Sequence, residues 1–364
     1  MIKVLVVDDS ALVRKLLGKV FSEEPGFDVA FARDGLEALA MLAEHQPDVV
    51  TLDIHMPQLD GLATLDRIML ERPCPVVMVS SLTAEGAEVT LEALRLGAVD
   101  FLPKPGGAVS LKMDEFAPEV IAKVRSAASA RLPATRRLAE RIRHRVSGAT
   151  APPAGRGREP VVMQPRIAPA NGMGVVLIGT STGGPPALEA VLTRLPQGFP
   201  WPIVVAQHMP SSFTGPLARR LNGLSKIEVV EVTRQTVLEA GYAYIARGDA
   251  DIVLANRAGR LVANSTPSEP GYPWHPSTDR LVRSAMDAAP PEQLIGILMT
   301  GMGDDGAAAM ARMRAAGGRT IAEAEETAVV WGMPGELVKA GGADIVAPVN
   351  EIAARLQEIA PSCR

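Results

Sequence analysis

Asp8 and Asp9 stand together after the apolar run IKVLVV (2–7), and Asp53 follows the run DVVTL (48–52). Three carboxylates brought to one sheet edge repel each other at neutral pH, and a divalent cation relieves that repulsion. Ligands that are all oxygen favour Mg2+. A carboxylate beside such a cation can accept a phosphoryl group. Ser80 ends PVVMVS (75–80), where its hydroxyl can donate to a phosphoryl oxygen. Lys104 follows VDFLP (99–103) and can pair with the anionic cluster, and Pro105 after it ends the strand. Taken singly, each aspartate reads as a helix N-cap. The combination is far more specific, with DD at one strand end, D at a second, S at a third and KP at a fourth.

A second constellation lies downstream. Gly179-Thr180-Ser181-Thr182-Gly183 matches G-x-S-x-G between the strand-like GVVLIG (174–179) and the helix-like PPALEAVLTRL (185–195). Glycines let the chain turn tightly and hold a serine exposed, and the following helix aims its N-terminus at the site. The rival reading is a phosphate loop, but the P-loop lysine is missing, since Gly183-Gly184 leads into Pro185-Pro186. A serine nucleophile needs a base. His208 follows PIVVAQ (202–207) at a strand end, whereas His275 sits in the loop-like SEPGYPWHP (268–276), which favours His208. The base needs an orienting carboxylate, and LIGILMTGMGDDGAA supplies Asp304 and Asp305. Residue logic leaves that choice open, with one of the two expected to be a plain N-cap. The order Ser, His, Asp differs from that of α/β-hydrolases.

These residues need elements to hold them. Residues 1–130 alternate strand-like and amphipathic runs: strands at 2–7, 28–32, 48–52, 75–80 and 99–103, helices at 11–21, 35–45, 61–70, 88–97 and about 115–130. Five βα units in series predict a parallel sheet covered on both faces. From 173 a second α/β rhythm begins, with strands at 174–179, 202–207, 228–232, 242–246, 294–300, 319–324 and 344–348. Its helices are expected at 185–195, 278–289, 307–317 and 350–360, the last with Asn350 as N-cap.

Between the two lies an arginine- and proline-rich stretch. Lys and Arg number 12 against 20 Asp and Glu in residues 1–130, 9 against 2 in 131–172, and 16 against 19 in 173–364. The basic stretch has no aromatic interleaving, so it reads as a linker that contacts the acidic domain or an acidic protein, not as a nucleic-acid tail. A short basic helix at 135–146 is expected within it. The predicted division is 1–125, linker 126–172, and 173–364. The 364 residues are 47% hydrophobic and 21% charged, enough for two cores. Aromatics at 4% argue against stacking platforms for single-stranded nucleic acid. Cys74 and Cys363 form no metal or redox spacing, and no apolar run reaches the ~18 residues of a membrane span. A reduced, cytoplasmic protein with no membrane insertion is the expectation.

VLVVDDS, TLDIHMPQLDG and FLPKP resemble the signature segments of response-regulator receiver domains. The resemblance implies a flavodoxin-like (βα)5 fold with Asp53 as phosphoacceptor. It also implies that Asp8, Asp9, Asp53 and the His55 backbone carbonyl bind Mg2+, with Ser80, Phe101 and Lys104 as switch residues. IGTSTGGPPAL, VAQHMP and LMTGMGDDGA resemble the catalytic segments of chemotaxis protein-glutamate methylesterases, the CheB family. That family joins a receiver to a doubly wound, mostly parallel α/β esterase domain in this order. The implied roles are Ser181 as nucleophile, His208 as base and Asp305 as orienting acid. Met302 N–H would serve the oxyanion hole, and Thr182 would line the site. No cofactor is implied for the esterase domain. The implied partners are a histidine kinase as phosphodonor and methylated chemoreceptor helices as substrate, with glutamine deamidation as a second activity. The family often has Asn where this chain has Asp304. Two other readings are an esterase of a non-flagellar chemosensory-like pathway and a phosphorylation-controlled binding module with an inactive triad.

Overall fold

The computed structural model describes residues 1–81, 83–104, 113–132 and 174–360. The predicted basic helix at 135–146, most of the predicted linker, Pro105 and Cys363 lie outside them. The chain divides into two compact units, Met1–Arg141 and Ile142–Arg364, with the division inside the predicted linker. No helix among the described residues is long and apolar enough to cross a membrane.

In the first unit, β1 (Ile2–Val7), β2 (Phe27–Ala32), β3 (Val49–Asp53), β4 (Val76–Ser80) and β5 (Asp100–Pro103) form a parallel sheet in the order β2-β1-β3-β4-β5. Val4 to Val7 and Val76 to Val79 are at most 2% exposed, as strands covered on both faces require. The helices are α1 (Ala11–Glu23), α2 (Gly35–His45), α3 (Gly61–Glu71), α4 (Ala84–Leu96) and α5 (Met113–Ala128). The side chains of Ser10, Asp34, Asp60 and Thr83 each accept a backbone N–H of the first turn, so the caps of α1 to α4 are written in the sequence. Strand order reverses between β1 and β3, and that crevice is where an open α/β sheet presents its functional groups.

The second unit repeats the principle with a longer sheet. Its strands β6 (Val175–Thr180), β7 (Ile203–Gln207), β8 (Glu228–Val232), β10 (Tyr242–Ala246), β13 (Leu294–Leu298), β14 (Arg319–Glu323) and β15 (Ile345–Ala347) are all parallel, in the order β15-β14-β13-β6-β7-β10-β8. The helices are α6 (Gly184–Leu192), α7 (Ser211–Leu224), α8 (Thr278–Ala288), α9 (Ala307–Ala315), α10 (Met333–Lys339) and α11 (Val349–Ile359). Leu177, Val204, Tyr244, Leu281, Leu298 and Met310 share one core. A separate antiparallel sheet joins β9 (Thr236–Val237), β11 (Ala250–Arg257) and β12 (Arg260–Pro267), an element the sequence pattern did not announce. The cap expected at Asn350 is corrected: α11 starts two residues earlier than that cap requires, behind Pro348. Val349 N–H is taken by the Thr327 hydroxyl instead.

Candidate active site and phosphorylation site

In the first unit, Asp8, Asp9 and Asp53 each offer an oxygen, and the three lie within 4.8 Å of one another. Asp8 and Asp53 are 1% exposed, while Asp9 is exposed. Lys104 Nζ lies 2.7 Å from Asp53 Oδ2 and 3.4 Å from Asp8 Oδ2. Neither buried Oδ2 receives a well-aligned hydrogen bond, so the lysine acts there as a charge more than as a directed donor. Burial first, and then the Asp53 charge, push the Asp8 carboxyl above its usual range. Burial opposes protonation of Lys104, but the close carboxylates of Asp53 and then Asp8 outweigh it and raise the ammonium. Two under-satisfied buried oxygens beside a third carboxylate fit a small hard cation. His55 is exposed and its N–H approaches Asp53 Oδ1 at 3.4 Å. Ser80 Oγ receives the Thr90 hydroxyl at 2.8 Å and faces the Gly86 carbonyl at 3.3 Å. Phe101 is buried, with Lys123 Nζ 5.0 Å from its ring centroid. Gly61 is required under this site, because a Cβ there would meet the Asp53 carbonyl oxygen at 2.1 Å.

In the second unit, Ser181 follows β6, His208 follows β7 and Asp305 lies past β13. These are three adjacent strands, with the reversal of strand order between β6 and β13. His208 Nε2 meets Asp305 Oδ2 at 2.8 Å. Asp305 is held on every side: Thr278 N–H donates to Oδ2 at 2.6 Å, and Ser277 Oγ and Asp279 N–H donate to Oδ1 at 3.0 and 2.9 Å. Burial works to raise the Asp305 carboxyl, but the His208 hydrogen bond and charge and the backbone donors outweigh it, so the group sits below its ordinary range. An ionised Asp305 fixes the proton of His208 on Nε2 and leaves the lone pair of Nδ1 available. Nδ1 is buried and has no hydrogen-bond partner among the described residues, so its lone pair can accept a proton.

The turn that carries Ser181 is built by contacts that sequence reading did not foresee. Ser181 N–H donates to Thr300 O at 3.0 Å, and Thr180 Oγ1 donates to the same oxygen at 2.9 Å. Gln207 Nε2 donates to both Ser181 O at 3.0 Å and His208 O at 3.1 Å, tying the two strand ends together. Glu323 Oε2 accepts Thr300 N–H at 2.8 Å from deep in the core. Gln207 stands beside His208 in VAQHMP, and Glu323 ends a strand as Asp53 does, so a signal for each was present. Gly183 has φ +77°, the left-handed region that glycine adopts without strain. The first turn of α6 is a poor anion cradle: Pro185 and Pro186 have no N–H, and Gly184 N–H and Ala187 N–H are bonded to Ser181 O and Gly183 O. That counts against both the phosphate loop and an oxyanion role for this helix start. Met302 N–H, by contrast, has no acceptor among the described residues, and a Cβ on the preceding Gly301 would lie 2.8 Å from Ser181 Cβ. Thr182 is buried, and its carbonyl accepts the Thr300 hydroxyl at 2.9 Å.

Asp304 is exposed and takes no part in the His208 contact. Neither aspartate is a cap, because α9 begins behind Gly306 with no side-chain cap bond. His275 lies apart from Asp305, with Nδ1 2.9 Å from Asp251 Oδ1.

A parallel sheet with a carboxylate cluster at its switch point, joined to a second parallel sheet with a buried His–Asp pair beside an elbow serine, defines a response regulator coupled to a hydrolase domain. The response regulator receiver domain model matches residues 4–113, and the CheB methylesterase model matches residues 176–356. The chain is 54% identical over 358 residues to a protein-glutamate methylesterase/protein-glutamine glutaminase of Rhodopseudomonas palustris, covering 98% of each. It is 54% identical to one of Rhodospirillum rubrum, covering 98% of this chain and 95% of that protein. The solved CheB methylesterase catalytic domain of Thermotoga maritima superposes with a TM-score of 0.50 at 37% identity, over 51% of this chain and 98% of that one. The chain belongs to the protein-glutamate methylesterase/protein-glutamine glutaminase family and is an enzyme.

Proposed function

We propose that the chain is a cytoplasmic, phosphorylation-activated esterase that hydrolyses glutamate γ-methyl esters on the helices of chemoreceptors, and deamidates glutamines there, in chemotactic adaptation. The observation that carries this reading is His208 held through Nε2 by an ionised, fully hydrogen-bonded Asp305, with Nδ1 buried and without a hydrogen-bond partner among the described residues, at the strand end next to that of Ser181. Ser181 Oγ attacks the γ-carbonyl carbon while Nδ1 takes its proton. The oxyanion is met by Met302 N–H. As the tetrahedral intermediate collapses, the C–OCH3 bond breaks and Nδ1–H protonates the departing methanol. Water then attacks the glutamyl-serine ester, giving up its proton to Nδ1, and the carboxylate leaves as Ser181 recovers its hydrogen. An amide follows the same course and releases ammonia.

In the first unit, Asp8, Asp9, Asp53 and the His55 carbonyl would hold Mg2+, which would neutralise the charge developing on the transferred phosphoryl group. Asp53 accepts that group from a histidine kinase. Lys104 is already within 2.7 Å of Asp53 and pairs with the added charge, while Ser80 leaves its contacts with Thr90 and Gly86 to reach a phosphoryl oxygen. Phe101 follows as the buried aromatic of the switch.

The test is methanol release from methylated receptor membranes, with and without a small-molecule phosphodonor and Mg2+. A rise is expected in the wild type and not in Asp53→Asn, and Ser181→Ala should remove most turnover while leaving the fold intact. Unchanged release from Ser181→Ala would sink the nucleophile assignment. Release that ignores the phosphodonor would sink the switch.

A further inference from the structure

Trp274 has no part in the chemistry above, yet its indole runs parallel to the His208 imidazole. The ring is 5° from parallel with the His208 imidazole, with centroids 6.0 Å apart. It also covers the backbone of Gly303, where a Cβ would meet Trp274 Cζ2 at 2.8 Å. Gly303 adjoins Met302, and Gly301 lies against Ser181. Neighbouring groups therefore run from Ser181 through 301–303 to Trp274 and on to His208, which places the indole at the edge of the candidate site.

The residues just past Trp274 hold the indole in place. His275 Nδ1 and Ser277 N–H both bind Asp251 Oδ1, at 2.9 and 2.7 Å, and Arg280 Nη1 binds Oδ2 at 2.7 Å. The Asp251 side chain is 0% exposed. Ser277 Oγ reaches Asp305 Oδ1 at 3.0 Å. This segment is thus tied to two buried carboxylates, one of which is the partner of His208.

We infer that Trp274 is the specificity-determining wall of the esterase site. Its flat apolar face packs against the narrow methylene stem of a glutamate or glutamine side chain and excludes branched or aromatic acyl groups. This rests on the esterase reading, because it is that reading which places an acyl group beside Ser181 and His208. A rigid aromatic wall discriminates by shape, and one misplaced or missing group in an apolar pocket commonly changes kcat/KM by about tenfold or more.

The experiment uses the full-length protein and p-nitrophenyl esters with a linear butyryl or a benzoyl acyl group, alongside methylated receptor membranes. Trp274→Ala should raise the benzoyl-to-butyryl ratio of kcat/KM by about tenfold and lower methanol release from receptors. Trp274→Phe, which keeps a flat ring, should stay within about threefold of the wild-type ratio. Trp274→Leu carries the comparison if the alanine variant does not fold, and labelling of Ser181 by a fluorophosphonate reports that each variant retains its elbow. An active wild type whose acyl ratio is unchanged in the labelled Ala or Leu variant overturns the wall alone. A wild type that releases neither methanol nor nitrophenol, and is not labelled, overturns the esterase reading and the wall with it.

Discussion

Burial has opposite outcomes at two carboxyls of the second unit. Asp305 is surrounded by donors and a histidine, which keep it ionised despite desolvation. Glu323 is 1% exposed, and burial pushes it up to about 7, offset only in part by Thr300 N–H and the Thr327 hydroxyl. No ion pair reaches Glu323 among the described residues. Its folded pKa lies above the unfolded value, so the folded state binds more protons between about 4.5 and about 7. Stability is therefore lost as pH rises through that window and regained as it falls. The wild type should lose on the order of 3 kcal/mol from this group between its unfolded and folded pKa. Glu323→Gln can still accept Thr300 N–H through its amide oxygen and carries no titration. Urea unfolding of both proteins at pH 5.5 and pH 8 checks this: the gap should widen in favour of the glutamine variant at the higher pH. A gap that narrows would mean that the carboxylate is better solvated than its burial implies. Ser181 and His208 were legible because each stands at a strand end, the one position where an α/β fold exposes chemistry. Trp274 was not, because its contact with His208 depends on how a proline-rich loop folds back.

At the scale of elements, the elbow shows how much depends on a missing side chain. A Cβ on Gly184 would lie 1.9 Å from Gln207 Oε1 and 2.6 Å from Thr180 Oγ1. Gln207 is the residue that bonds both Ser181 O and His208 O, so Gly184→Ala must displace the tie between Ser181 and His208. The expected cost is about 1–3 kcal/mol in stability from overpacking, with a larger effect on turnover, at least about tenfold, because small displacements of catalytic groups are expensive. Steady-state methanol release and urea unfolding of the same preparation separate the two effects. The regular βα rhythm of both sheets was readable from short continuous apolar runs, since a parallel strand is covered on both faces. The antiparallel sheet was not. Its β11–β12 hairpin turns at Ala258 and Gly259, both with positive φ, and alanine at the first of these gives no Asn-Gly or Asp-Gly signal. Asn256 supplies the missing turn chemistry from two residues upstream, its Oδ1 accepting Gly259 N–H at 3.0 Å. The helices α7 and α10 went unread, because α7 places Gly215 and Pro216 side by side in its interior and α10 spans only 7 residues, too few for a clear period.

At the scale of the whole molecule, the charge distribution bears on the proposed regulation. Residues 1–130 carry 12 basic against 20 acidic groups, and residues 131–172 carry 9 against 2. In the proposed switch, a phosphoryl group on Asp53 would add negative charge to the acidic unit, and that change could alter activity only by favouring one of two arrangements over the other. If the unphosphorylated receiver restrains the esterase, the fragment 173–364 should turn over faster than unphosphorylated full-length protein, and its rate should not respond to phosphodonor. The solved Thermotoga maritima catalytic domain, 98% of which aligns here, is a precedent for a domain of this kind handled alone. Electrostatic restraint between exposed charges weakens as salt rises, because screening shortens their reach to about 8 Å at physiological ionic strength. The rate advantage of the fragment should therefore shrink between about 50 mM and about 500 mM salt as the full-length enzyme is released. A fragment no faster than the unphosphorylated full chain at low salt would rule out restraint by the receiver, and would leave phosphorylation to act by recruiting substrate instead.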